Sequence, residues 1–104
     1  MVNKYNARKT IVDGITFDSK KEAARYQELK MLERANEIYH LECQKKFSLD
    51  VNEMHIANYF CDFYYYDARL DKYTTEDVKG ILTPVYRLKK KLMLACHDIE
   101  IVEV

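Results

Sequence analysis

The run from His55 to Tyr66, HIANYFCDFYYY, limits the fold more than any other part of the sequence. It is dense in aromatic side chains, contains no glycine or proline, and reads as a strand inside a sheet. In its middle stands Asp62, flanked by Tyr59, Phe60, Cys61, Phe63 and Tyr64. An ionised carboxylate among such neighbours is costly unless something pairs with it. The chain must therefore supply both a core for this strand and a partner for this acid.

The other elements fall around that strand. Two short β-prone runs flank Asp13-Gly14, a pair suited to a two-residue type I′ turn, so residues 1–18 are expected to be a basic arm followed by a hairpin. Ser19 with Glu22 three residues on has capping-box spacing and opens a helix expected over 19–36. Strands are expected over 38–49, 55–66 and from Tyr73 to Val78, with a polar turn over 67–72 and the last two strands forming an antiparallel hairpin. Thr83 as N-cap and Pro84 in the first helical position start a second helix reaching about His97, and the alternating IEIVEV closes the chain as a half-buried strand. The order is a hairpin, then αβββαβ, in one domain over residues 1–104: an α/β fold with a mixed sheet between two helices.

At 104 residues the core is small, so a second subunit would add stability, and a homodimer is expected. No run is long and apolar enough for a membrane span and the N-terminus lacks a signal-like stretch, so a cytoplasmic protein with no membrane partner is expected. Cys43, Cys61 and Cys96 lack metal-ligand spacing and read as reduced, mostly buried thiols; His40, His55 and His97 likewise suggest no ligand set. Acidic and basic residues balance at 17 each, so the charge distribution matters more than its sum. Lys4, Arg8 and Lys9 form one positive segment, and Lys79, Arg87, Lys89, Lys90 and Lys91 another, with no acid between Lys79 and Lys91. Each reads either as a solvated face or as a seat for a phosphate backbone.

The acids suggest chemistry. Asp77 and Lys79 are two apart on an expected strand and share a face, while Val78 points to the other. Asp62 and Asp77 are expected to oppose one another across the hairpin, which calls for a cation between them, with a salt bridge from Asp62 to Lys79 as the structural alternative. Glu22 shares a helical phase with Tyr26 and Leu29, so it points inward; it serves as capping-box acid, as ligand, or as both. Glu22, Asp62 and Asp77 are oxygen donors of the kind that hold Mg²⁺ or Mn²⁺, and Lys79 can stabilise charge on a phosphate. The acid-x-Lys pattern also occurs at Asp18-Ser19-Lys20 and Glu28-Leu29-Lys30, but only Asp77-Val78-Lys79 lies on an expected strand.

The segments FDSKKEAARY, ANYFCDFYYY and TTEDVKG-ILTPVYRLKKKL resemble a small, mostly phage-encoded group of the PD-(D/E)XK nuclease superfamily. Among known activities the resemblance is closest to endonuclease I type Holliday-junction resolvases. It implies a restriction-endonuclease-like core, a homodimer, branched or double-stranded DNA as substrate, and Glu22, Asp62, Asp77 and Lys79 as the catalytic set. Glu76 adjoins Asp77, and strand alternation favours Asp77 because it shares a face with Lys79. The alternative from another class is a module that keeps the fold and binds DNA or protein without cutting.

Among supporting residues, Lys20 and Lys21 at the start of helix one join the expected DNA contacts. On helix two, Val85, Leu88, Leu92 and Ala95 form the expected buried face, with Arg87, Lys90 and Lys91 opposite. Lys89 falls inside the apolar arc, so its amine either snorkels outward or points to the cleft near Asp77. The tyrosine cluster is expected as sheet core with alternate rings at an edge.

Overall fold

The structure, a computed structural model, describes residues 8–79 and 82–104; the Lys4 expectation and Gly80 lie outside the described residues. The N-terminal hairpin is present as β1 (Thr10–Val12) and β2 (Ile15–Phe17), joined by Asp13 and Gly14 at φ 52° and 76°. A type I′ turn needs positive φ at both central positions, which glycine takes without strain and aspartate tolerates. Helix α1 spans Lys20–Arg34, slightly shorter than expected, and begins where Ser19 Oγ accepts the Glu22 N–H at 3.1 Å.

The central sheet runs β3 (Ile38–Cys43), β6 (Phe63–Asp67), β7 (Lys72–Asp77) and β8 (Val102–Glu103), with the first two contacts antiparallel and β7–β8 parallel. The expected αβββαβ order and mixed sheet are therefore present. The two long strands, however, are each broken. Residues 38–49 divide at Gln44, whose φ of 57° ends β3 before β4 (Lys46–Val51) begins. Residues 55–66 divide at Cys61-Asp62 into β5 (Met54–Phe60) and β6. Strands β4 and β5 pair with each other as a separate two-stranded arm, turned by Asn52 and Glu53 at φ 51° and 67°. Asp67, placed in the expected turn, instead ends β6, buried, where it accepts the Arg69 N–H at 3.0 Å and its guanidinium at 3.1 Å.

Each face of the sheet has its own core. Phe63 and Tyr65 meet α1 and the N-terminal hairpin through Phe17, Ala23, Tyr26 and Leu29. Tyr64, on the other face, meets the arm and α2 (Pro84–His97) through Leu49, Tyr59, Tyr86 and Met93. The buried face of α2 differs from the expected one: Val85 and Leu88 are 63% and 56% exposed and Ala95 is exposed, while Tyr86 and Met93 point inward and Leu92 is half-buried. The arm, which the sequence pattern did not reveal, draws the helix round toward Tyr86 and Met93, leaving the apolar stripe outside. Of the cysteines, all free, Cys61 is fully buried and Cys43 and Cys96 are half-buried. Tyr59, Phe63 and Tyr65 are core, whereas Phe60 is exposed.

One buried ion pair locks α1 to the sheet. Arg25 donates to Glu76 through Nε at 2.8 Å and through Nη2 at 2.6 Å, and the Tyr65 hydroxyl donates to the same carboxylate. Glu76 is 1% exposed, so removal of the guanidinium strands a buried charge. Arg25→Ala is expected to destabilise the fold by about 3 kcal/mol, measured by urea unfolding. The double variant Arg25→Met/Glu76→Leu is expected to recover most of that loss.

Candidate functional site

The expected acids meet at one end of the sheet. The β6–β7 register ends with Phe63 paired to Glu76, and Asp62, just before β6, is not the ladder partner of Asp77 that the hairpin pattern led one to expect: its N–H donates to Glu76 O at 3.0 Å, while its carboxyl lies beside that of Asp77. Period-two alternation then separates the adjacent acids 76 and 77. Glu76 turns with Phe63 toward α1 and Arg25, while Asp77 turns toward Tyr59 and Tyr86 on the α2 face. The structure resolves which of the two shares a face with Lys79: Lys79 Nζ lies 2.8 Å from Asp77 Oδ1. Lys79 is two residues beyond the end of β7, yet its N–H still donates to Val104 O at 3.1 Å, which extends the ladder to β8.

The expected alternative, an ion pair between Asp62 and Lys79, is not what forms. Asp62 Oδ2 accepts the Val78 N–H at 2.7 Å, and Oδ1 faces Gln44 Nε2 at 3.4 Å. The same Gln44 amide donates to Glu22 Oε1 at 3.0 Å, so one side chain bridges the helix acid and the strand acid. Glu22 is buried; its N–H is capped by Ser19 Oγ, but the reciprocal bond of a capping box is absent among the described residues, and its carboxyl is turned to the Gln44 amide beside Asp62.

Burial is the largest influence on Asp62 and pushes its carboxyl up to about 8, with the nearby Asp77 and Glu22 charges raising it further and the Val78 N–H opposing them. Glu22 is raised as well, first by burial and then by Asp18. Both results express first the cost of taking a carboxylate out of water, and then the crowding of like charge around it.

Three residues that sequence reasoning missed complete the site. Gln44 carries no distinguishing pattern, because its role depends on a left-handed backbone in the middle of an apparent strand. The Tyr59 hydroxyl donates to Asp77 Oδ2 at 2.5 Å, across from the Lys79 contact. The Tyr86 ring lies beneath Lys79 Nζ at 3.6 Å from its centre, and its hydroxyl donates to Glu103 Oε2 at 2.7 Å. A cation held between a carboxylate and an aromatic face is fixed in direction.

The expected nucleic-acid contacts are divided. Lys20 and Lys21 are exposed at the start of α1, and Lys21 Nζ donates to Lys79 O at 3.0 Å, which ties that helix end to the site. Arg8 and Lys9 are exposed. Lys89 is half-buried and Lys90 pairs with Glu103 at 3.3 Å. Arg87 and Lys91 line a groove bordered by residues 99–101, and none of the clustered carboxylates lines it.

Among the described residues, no group of three or more His, Cys, Asp or Glu side chains is placed so that it could hold a metal ion as it stands. The donors nonetheless suit a hard cation: they are carboxylate oxygens, and two of them are raised first by burial and then by neighbouring acids. No helix among the described residues is long and apolar enough to cross a membrane.

Fold and site together define an α/β protein with a mixed four-stranded sheet, carrying a cluster of three acids and a lysine at one sheet end. Residues 2–101 match the family described as "Protein of unknown function (DUF1064)", and the chain belongs to that family. No curated protein matches. No solved structure matches.

The raised Asp62 carboxyl gives a pH signature. A carboxyl whose folded value lies above its unfolded one contributes stability that is complete below the unfolded value and is lost as pH rises through the folded one. In chelator, the melting temperature is expected to fall between about pH 4 and pH 8, at no more than about 1.4 kcal/mol per pH unit. Asp62→Asn is expected to flatten that decline in a thermal-melt series; an equal slope in parent and variant would assign it elsewhere.

Proposed function

We propose that this chain is a Mg²⁺- or Mn²⁺-dependent endodeoxyribonuclease of the PD-(D/E)XK type acting on branched DNA, as the resemblance to junction resolvases implies. The observation that carries the reading is the convergence of Asp62, Asp77 and Lys79 with Glu22 from α1 at one sheet end, with Lys79 Nζ 2.8 Å from Asp77. Glu22, Asp62 and Asp77 would hold the ion. When bound, it supplies charge neutralisation at the phosphate under attack.

The chain's own residues do the rest. Lys79 directs an ammonium at developing negative charge, held on line by the Tyr86 ring. Tyr59 fixes Asp77 from the side opposite Lys79, and Gln44 keeps Glu22 and Asp62 from spreading apart. Lys21, tied to the Lys79 carbonyl, and its neighbour Lys20 supply cations for a phosphate backbone beside the acids, and the exposed Arg8 and Lys9 add to the positive surface. A homodimer in the cytoplasm would present two such sites to a two-fold junction.

Purified protein incubated with linear, flapped and four-way DNA and Mg²⁺ is expected to nick the four-way substrate in symmetric pairs. Asp77→Asn and Lys79→Ala are each expected to lose about 100-fold or more in rate, with melting temperatures near the parent's. Metal-independent cutting, or cutting by both variants at the parent rate, would remove the assignment. Binding of DNA with no cutting under any metal would leave a non-catalytic module on this fold.

A further inference from the structure

Away from the carboxylates, α2 and the segment leading into β8 enclose a groove of about 470 Å³. Leu94, Ile99 and Ile101 are its apolar lining, with Leu94 53% exposed, and Arg87 and Lys91 contribute exposed cations. Among the described residues neither cation has an acidic partner within salt-bridge distance, while Lys90, also on the groove, is already paired with Glu103. Glu100 is the one acid on the lining.

The groove adjoins an open sheet edge. Strand β8 is last in the sheet order, with β7 its only neighbour among the described residues. The N–H and the carbonyl of Val104 are both engaged with β7, through Asp77 O and the Lys79 N–H. Along a strand the backbone groups alternate in direction, so those of Glu103 point away from β7, and Glu103 is exposed. The side chains of Ile101 and Glu103 lean to the α2 face: Ile101 packs with Tyr86 and Met93, and Glu103 accepts from Tyr86. An incoming strand would find the outward backbone groups of the exposed Glu103, apolar contacts at Leu94 and Ile99, and cations at Arg87 and Lys91.

We infer that this groove binds an extended peptide segment of a partner protein, alternating acidic and apolar residues, added as a strand beside β8. Strand addition gives such sites affinity through the main chain and selectivity through alternate side-chain positions. The apolar lining favours a peptide over a nucleic-acid backbone, whose phosphates gain nothing from covering Leu94 and Ile99. The net positive rim selects acidic over basic segments. This inference is independent of the nuclease reading, because its residues hold none of the clustered acids.

The test is fluorescence anisotropy with a labelled octapeptide alternating glutamate and isoleucine, titrated with the full chain. Saturable binding is expected, weakened about tenfold or more by Arg87→Glu/Lys91→Glu and by Leu94→Asp. The three residues are exposed, and a melt of each variant near the parent's shows that folding is intact. A peptide N-methylated at alternate positions, and one with lysine for glutamate, are expected to bind at least about tenfold more weakly. The inference fails if the peptide does not bind or if these changes leave binding unaltered. It also fails if duplex DNA loses affinity in Arg87→Glu/Lys91→Glu and the peptide cannot displace it. Conversion of a parent dimer to monomer by the same substitutions would likewise overturn it, since a second copy would then fill the groove.

Discussion

The pairing of Phe63 with Glu76 determines where every charged group near the end of the sheet points. Neighbouring acids at 76 and 77 would repel one another on a helix or in a loop. On a paired strand they are sent to opposite faces, about a sheet's thickness apart, and each is met by different chemistry. Glu76 meets a bidentate guanidinium and a tyrosine hydroxyl, so its charge is fully compensated. Asp77 meets one ammonium and one hydroxyl, with the Asp62 carboxyl beside it and Glu22 nearby, so negative charge remains in excess. A slip of one residue would exchange these roles and bury Asp77 against α1. The register therefore carries both the attachment of α1 and the composition of the acid cluster.

Two breaks in the strands make room for that cluster. If residues 38–49 and 55–66 had stayed continuous, Gln44 would lie within the ladder and Asp62 would sit in the middle of a closed sheet. Instead Gln44 takes a left-handed backbone, its N–H donates to Asp62 O at 3.1 Å, and its amide is free to turn toward Glu22. A non-glycine residue held at positive φ costs energy that the surrounding structure must offset, and such residues concentrate where function needs a particular direction. The β4–β5 arm that diverges beyond the breaks brings Tyr59 over the sheet, within reach of Asp77.

Much of this was legible in the sequence. The Asp13-Gly14 turn, the Ser19 cap, the Thr83-Pro84 helix start and the shared face of Asp77 and Lys79 follow from local spacing, because each is decided within a few residues or by strand alternation. What escaped depends on contacts distant in sequence. Asn52-Glu53 forms a positive-φ turn without glycine, and Gln44 breaks a strand with no breaker residue, so neither leaves a compositional mark. The α2 face was misjudged for a related reason. Helical periodicity identified an apolar stripe at Val85, Leu88 and Leu92, but which side is buried depended on the arm, whose Leu49 and Tyr59 meet Tyr86 and Met93 instead.

The acid cluster also explains why the rest of the molecule is tied so firmly at this end. Burial of Asp62 and Glu22 beside Asp77 works against folding whenever these groups ionise, and a chain of 104 residues has little stability to lose. The opposing contacts lie within a few residues of the cluster: Arg25 on Glu76, Lys79 on Asp77, Lys21 on the Lys79 carbonyl and the parallel ladder from Asp77 to Val104. Strain of this kind has no benefit for a purely structural sheet, since a neutral acceptor such as asparagine at position 62 would keep the Val78 N–H bonded without the repulsion. Its persistence beside a fixed lysine fits a site that exchanges internal repulsion for an external cation, the exchange on which the proposed chemistry depends.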